Sequence, residues 1–251
     1  LNKILGTDRN DRLIGTNDPD DIRGRGGDDR IWGNGGDDRI DGRDVAVVAN
    51  DFTVMGASSS STNGRKIGHA KRVATARGLP LVFIGESSGA RMPDHMGSRG
   101  MGSLLGNDPT QYVRQRETPW ASATLGLSYG SSSWYAVLSD FCVIRKGAVL
   151  AVSSSLLASL AIGETVDPEE LGGWKLHAET TGFADMVVDR DEDALAAIRT
   201  FLSYLPSHCN EAPPERPVPA GSGDGIREIV DLLPEKRTQV YDVRRVIRTV
   251  V

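Results

Sequence analysis

Leu81-Val-Phe-Ile-Gly-Glu-Ser-Ser-Gly-Ala-Arg91-Met92 is the stretch that decides how this chain folds. Leu81 to Ile84 form a short apolar run of the kind that parallel sheets bury on both faces. Small residues take over at Gly85 and continue to Ala90, interrupted only by Glu86. Where a buried strand breaks into small residues, main-chain N–H groups lose their ladder partners, and a ligand can approach them closely. Two chemistries fit such a place. One is an oxyanion hole, in which those donors converge on an enolate oxygen. The other is a serine-hydrolase elbow, because Gly85-Glu86-Ser87-Ser88-Gly89 satisfies Gly-x-Ser-x-Gly directly after a strand. That second chemistry makes Ser87 a nucleophile and needs His177 and an acid such as Asp185, which follow in the opposite chain order to the hydrolase fold.

Outward from this stretch, the chain alternates between strand and helix patterns. Strands are predicted at Val45 to Val54, Leu79 to Ile84, Ala121 to Tyr129, Phe141 to Ile144 and Val149 to Val152. Helices are predicted at Arg65 to Ala76, Ser132 to Leu138, Ser154 to Ala161 and Asp191 to Leu205. This alternation is α/β grammar. The segment Asn210 to Gly225 carries Pro213, Pro214, Pro217 and Pro219 and reads as an extended linker. A last helix near Gly225 to Leu233 and a segment from Tyr241 to Val251 follow it.

The first 44 residues have a different grammar, with eleven aspartates and no glutamate. Four consecutive nine-residue copies begin at Gly6, Gly15, Gly24 and Gly33, and the last two read Gly24-Arg-Gly-Gly-Asp-Asp-Arg-Ile-Trp32 and Gly33-Asn-Gly-Gly-Asp-Asp-Arg-Ile-Asp41. The pattern resembles the calcium-binding nonapeptide repeat of the parallel β-roll. In that repeat the sixth-position aspartates, here Asp11, Asp20, Asp29 and Asp38, supply hard oxygen to calcium. The apolar eighth positions Leu13, Ile22, Ile31 and Ile40 point inward on short strands. Alternate turns share each site, so four copies predict about two complete sites.

Composition narrows the remaining classes. With 251 residues, 39% apolar and 25% charged, the chain has material for one large domain and a small one. A net charge of −5 offers no basic stripe for nucleic acid. Cys142 and Cys209 form no Cys-x-x-Cys pair and are expected to be reduced structural thiols. The absence of an apolar run of about 18 residues argues against a membrane span. With no long apolar stretch at the N-terminus, the expected compartment is the cytoplasm.

The segment Glu86-Ser-Ser-Gly-Ala-Arg91 resembles the Ser-Gly-Gly-Ala-Arg motif of the carboxyltransferase β subunits of biotin-dependent acyl-CoA carboxylases, the propionyl- and acetyl-CoA carboxylase type. Val45 to Val54 is similar to that family's first core strand, and Gly64-Arg-Lys-Ile-Gly-His-Ala-Lys71 to the helix after it. Gly130-Ser-Ser-Ser-Trp-Tyr135 with Ser139-Asp140-Phe141 resembles the family's small-residue turn, helix and aspartate. Gly163-Glu-Thr-Val-Asp-Pro-Glu-Glu-Leu-Gly-Gly173, with His177 and Gly182 behind it, resembles a further family segment.

The resemblance implies a crotonase-like ββα superhelix over residues 44–209, behind a β-roll-like repeat over 1–43 and ahead of a Pro-rich connection over 210–251. It also implies transfer of a carboxylate from carboxybiotin to the α-carbon of an acyl-CoA. Under it the N–H groups of Ser88 and Gly89 form an oxyanion hole, and Ala90, Arg91, Gly130, Ser131, Ser132 and Ser133 line the substrate. Biotin would arrive on a carboxyl carrier protein served by a biotin carboxylase subunit, within a homo- or hetero-oligomer. Arg65, Lys66 and Lys71 are weaker candidates for the CoA phosphates, since basic residues on a helix usually form a solvated face. Glu164, Glu169 and Glu170 are expected to cap a helix start, and His177 to be structural. Two departures stand out: Ser88 replaces the family's first motif glycine, and Ser131 to Ser133 replace its second-turn Gly-Gly pair. The family subunit also contains a second crotonase-like half, which is expected to begin where this chain stops. The other readings left open are a calcium-binding repeat protein with a non-catalytic acyl-CoA domain, and a secreted hydrolase using Ser87.

Overall fold

The computed structural model describes residues 2–7, 9, 11–14, 20–23, 30–32, 39–40, 43–98, 118–218 and 220–250. Within the repeat, β1 (Asn2–Leu5), β2 (Arg12–Ile14), β3 (Asp20–Arg23), β4 (Arg30–Trp32) and β5 (Arg39–Ile40) form two parallel sheets, β1-β3-β5 and β2-β4. Paired residues such as Asn2 and Asp20 are 18 positions apart, which is two nine-residue copies, so successive copies alternate between the sheets. Leu13 and Ile22 are buried, as the eighth position of the repeat requires. A short strand β6 (Arg43–Asp44) closes the first sheet antiparallel to β5.

The larger sheet begins with β7 (Ala46–Ala49) and continues through α1 (Ser61–Arg77), β8 (Leu81–Ser87), α2 (Met92–His95), β9 (Trp120–Tyr129) and α3 (Ser131–Val137). It is completed by β10 (Phe141–Arg145), β11 (Val149–Ala151), α4 (Ser155–Ile162), α5 (Pro168–Gly172), β12 (Met186–Val188) and α6 (Asp191–Ser203). The strand order is β12-β10-β9-β8-β7, all parallel, with β11 on the far part of β9. Ala194, Ala197, Ile198 and Leu202 of α6 pack onto Val82, Ala121, Ala123 and Val143. Full burial of each larger aliphatic side chain contributes about 1.5–3 kcal/mol.

Local chemistry explains where the elements start and stop. The Ser60 hydroxyl accepts the Asn63 N–H and caps α1, and Gly78 ends that helix at φ +67°. The strand expected from Val45 to Val54 ends at Ala49. Beyond it, the Asp51 carboxylate takes the Thr53 N–H at 2.9 Å and the Thr53 hydroxyl at 2.6 Å, which turns the chain. Met55, Gly56 and Ala57 then adopt φ of +53°, +62° and +49°. Asp167 caps α5 by accepting the Glu169 and Glu170 N–H groups, so those two glutamates occupy a solvated first turn as expected.

A second compact unit covers Pro214–Val251. It contains a 3₁₀ turn at Asp224–Glu228, α7 (Ile229–Leu232) and α8 (Val243–Val250). The helix expected near Gly225 to Leu233 is therefore divided into two short pieces.

Candidate active site

Because β8 and β9 are parallel neighbours, the turns after them emerge at the same edge of the sheet. Their register shifts between Gly85 and Ser87, and beyond the shift Ser87 stands opposite Ser128. Gly126 makes room for this bend, since a Cβ there would collide with the Glu86 carboxylate oxygen. The two turn glycines carry left-handed backbones, Gly89 at φ +104° and Gly130 at φ +67°. A Cβ on Gly130 would lie 4.0 Å from the Gly89 Cα, so the turns face each other across a narrow gap.

The donors around that gap differ from those expected. The Ser88 N–H is donated to the Gly56 carbonyl at 2.9 Å, and the Gly89 N–H to the Ser87 hydroxyl at 3.1 Å. Ser88 is thus not an unpaired donor, because the left-handed Met55–Ala57 segment brings its own carbonyl to that amide. The donor at Gly89 is held by a hydroxyl of its own turn. Among the described residues the N–H groups of Ala90, Ser131 and Ser132 have no hydrogen-bond acceptor. Those of Ser131 and Ser132 are the orphan donors that open α3. The Ser133 N–H and hydroxyl both donate to the Gly130 carbonyl, so Ser133 closes its own turn.

Arg91 spends its guanidinium on the loop before α1, donating to the Ser58 hydroxyl at 3.1 Å and the Ser58 carbonyl at 3.2 Å. Of the basic residues on α1, Arg65 and Lys66 are exposed, whereas Lys71 is buried with its ammonium 5.4 Å from the Trp120 ring. Lys71 therefore serves the interior and not a phosphate. A cavity of about 10 Å³ beside it, lined by Ile67, Phe83, Trp120 and Tyr135, is about one water in size and apolar. It is a packing gap, and none of the residues lining it belongs to the two turns.

The hydrolase arrangement is not assembled. Ser87 is fully buried. His177 Nε2 lies 2.8 Å from the Leu150 carbonyl, and its Nδ1 lies 3.3 Å from the Thr181 hydroxyl. Asp185 accepts the Cys142 N–H at 2.8 Å. Burial also pushes the Cys142 thiol up to about 11, while Cys209 is exposed.

In the repeat, the Asp11 carboxylate accepts from the Thr7 hydroxyl at 2.9 Å, and buried Asp20 accepts from Asn2 Nδ2 at 3.0 Å. Asp29 and Asp38 lie outside the described residues. Among the described residues no group of three or more His, Cys, Asp or Glu could hold a metal ion.

Three residues at the turns carry no signal of their own in the sequence. Ser59, within a run of serines, has its hydroxyl 2.9 Å from that of Ser131. Asn50 donates to the Glu86 carbonyl at 2.9 Å and to the Ser132 hydroxyl at 3.4 Å. His95 Nε2 lies 3.0 Å from the Ser59 carbonyl.

Parallel strands backed by helices, with turns of this form at their carboxyl ends, define the crotonase-like α/β class. The chain belongs to the carboxyl transferase domain family, which matches residues 29–251. The RTX calcium-binding nonapeptide repeat matches residues 5–40. The propionyl-CoA carboxylase beta chain of Saccharopolyspora erythraea is 31% identical over 220 residues, covering 84% of this chain and 40% of that protein. The propionyl-CoA carboxylase carboxyltransferase subunit of Haloferax mediterranei is 33% identical over 211 residues, covering 81% and 40%. Among solved structures, transcarboxylase 12S with hydrolyzed methylmalonyl-coenzyme A bound superposes with a TM-score of 0.65 at 29% identity, over 82% of this chain and 40% of that one. The chain thus spans about two fifths of the length of these relatives. No helix among the described residues is long and apolar enough to cross a membrane.

Proposed function

We propose that residues 44–209 are the acyl-CoA-binding half of a biotin-dependent carboxyltransferase, with the gap between the Gly89 and Gly130 turns as the thioester site. The observation that carries this reading is the set of unclaimed amides at Ala90, Ser131 and Ser132 beside two glycines whose backbones a ligand can approach. Such donors hold an oxygen that gains negative charge when the α-proton of a thioester is removed, and they favour the enolate by several kcal/mol. The Gly89 N–H joins them when the Ser87 hydroxyl yields it to the ligand. Gly130 and Ser133 shape the wall of the site, and Arg91 fixes its floor through Ser58. Carboxybiotin, brought by a carrier protein that a biotin carboxylase subunit serves, supplies the carboxyl group.

The remaining site for biotin belongs to a second transferase half, on the same or another polypeptide. Leu156, Leu157 and Leu160 of α4, each at least 60% exposed, favour association of this kind. Residues 1–43 are a calcium-binding roll, with Asp29 and Asp38 of its two most regular copies as chief ligands and Asp11 and Asp20 as their counterparts. Aspartate oxygen suits calcium. Residues 210–251 connect the acyl-CoA half to its partner, and the cytoplasm is the proposed compartment.

The test is thermal stabilisation by propionyl-CoA against free CoA. At ten times its dissociation constant a ligand adds about 1.4 kcal/mol, a rise of roughly 3–5 °C for a domain of this size. Gly89→Val, which places a branched side chain in the gap, is expected to abolish the difference between the two ligands. No response to any CoA thioester would remove the proposal.

A further inference from the structure

One residue outside both turns ties them together. The main chain of Ser59 is committed to the first turn. Its N–H donates to the Gly89 carbonyl at 2.8 Å, and its carbonyl accepts the Arg91 N–H at 2.8 Å and lies 3.0 Å from His95 Nε2. Its side chain is committed to the second, with Oγ 2.9 Å from the Ser131 hydroxyl. A longer contact of 3.5 Å reaches the Ser87 hydroxyl, which itself accepts the Gly89 N–H. We propose that Ser59 is the positioning residue that sets the separation of the two turns, acting on the second through the Ser131 hydroxyl. This deepens the thioester-site reading and rests on it.

Oxyanion stabilisation tolerates little error in distance. Donors stabilise a developing oxyanion only when they stand about 2.7–3.1 Å from it. Amides on two different turns meet that condition together only if the turns keep a fixed spacing. The strands fix the turns where they leave the sheet, at Ser87 opposite Ser128, but neither Gly89 nor Ser131 lies in the ladder. The bridge between Ser59 and Ala90 extends sheet-like pairing to the first turn, and the hydroxyl contact carries it on to the first residue of α3. Arg91 reinforces the arrangement by holding Ser58, the residue before Ser59. Asn50 is the nearest alternative link, but its bond to Ser132 is the longer at 3.4 Å and its other end holds the strand at Glu86, not the turn.

Amide hydrogen exchange of the whole chain without ligand tests the coupling. Ser131→Ala removes a hydroxyl from the second turn, and the readout is the Arg91 N–H on the first. Its exchange is expected to rise about fivefold, the factor set by loss of one hydroxyl-to-hydroxyl bond in a local opening. Ser59→Ala is expected to give a similar rise, Ser59→Thr to restore the wild-type rate, and the double variant Ser59→Ala with Ser131→Ala to add nothing to either single one. An Arg91 rate unmoved by Ser131→Ala, or effects that add, would overturn the assignment. Titration with propionyl-CoA and free CoA separates the two levels of the argument. Both alanine variants are expected to weaken propionyl-CoA binding about fivefold while leaving free CoA unchanged. Coupled exchange in a chain that binds no acyl-CoA overturns the thioester site alone, whereas binding with uncoupled exchange overturns the role of Ser59 alone.

Discussion

The nine-residue roll and the parallel sheet use the same parallel pairing but are held by different forces. In the sheet, β8 alone buries Leu81, Val82 and Phe83, and α6 covers the neighbouring strands with four more buried residues. In the roll the strands are two to four residues long, and the described ones bury Leu13 and Ile22. The first 44 residues carry eleven aspartates. Burial thus dominates in the sheet, whereas the described strands of the roll bury far less, and the calcium proposed for residues 1–43 would offset the charge of an aspartate-rich sequence.

The sharpest way to break this contrast is a matched pair of substitutions. Ile22 and Ile144 are both fully buried, one in each region. Ile144→Ala is expected to cost about 2–5 kcal/mol and lower the main thermal transition by roughly 5–15 °C. Ile22→Ala removes the same volume but should melt only the roll and leave the main transition in place. Calorimetry that shows Ile22→Ala lowering one shared transition would mean that the two regions unfold as a unit, and the contrast would fail. The next effect in size is that of calcium. At a hundred times its dissociation constant calcium is expected to add about 2.7 kcal/mol to the roll and nothing to the sheet. Circular dichroism during an EGTA titration checks this, and a strand signal indifferent to EGTA would remove the calcium reading of residues 1–43.

The same contrast governs what could be read from the sequence. The roll is legible because its period is printed in the residues, and pairing at 18 positions follows from two copies of nine. The sheet strands are legible because their apolar runs are long, as at β8 and β9, but β12 with three residues gives no periodic signal. At the site, local sequence identified the two turns but not which amides stay unclaimed. That outcome depends on the left-handed segment Met55–Ala57, which closes the Ser88 N–H from 32 positions away along the chain. Lys71 illustrates the same limit: its place on α1 reads as solvated, and only the packing against Trp120 turns it inward. Contacts between segments distant in sequence, such as Ser59 with Ser131, leave no local pattern.

Glu86 gives the smallest effect and the finest comparison, because it is the one acid of the β8 turn while the roll has many. Burial raises its pKa above the ordinary 4.5, the Asp191 carboxylate raises it further, Arg145 opposes the shift, and Asp51 adds a weaker upward push. The fold therefore favours the protonated form. The stability this contributes is complete below pH 4.5 and is lost as pH rises through the raised value. Glu86→Gln keeps the side chain neutral at every pH. The variant and the parent should melt together near pH 4, and the variant should melt higher at pH 7.5. The gain is expected to be small, roughly 1–2 °C, since the side chain is only partly buried and solvent still screens its charge. A gap between the two proteins that is the same at both pH values would show that Glu86 acts through its shape against Gly126 and not through its charge. Its position in the sheet would then be a matter of packing, as it is for Ile144.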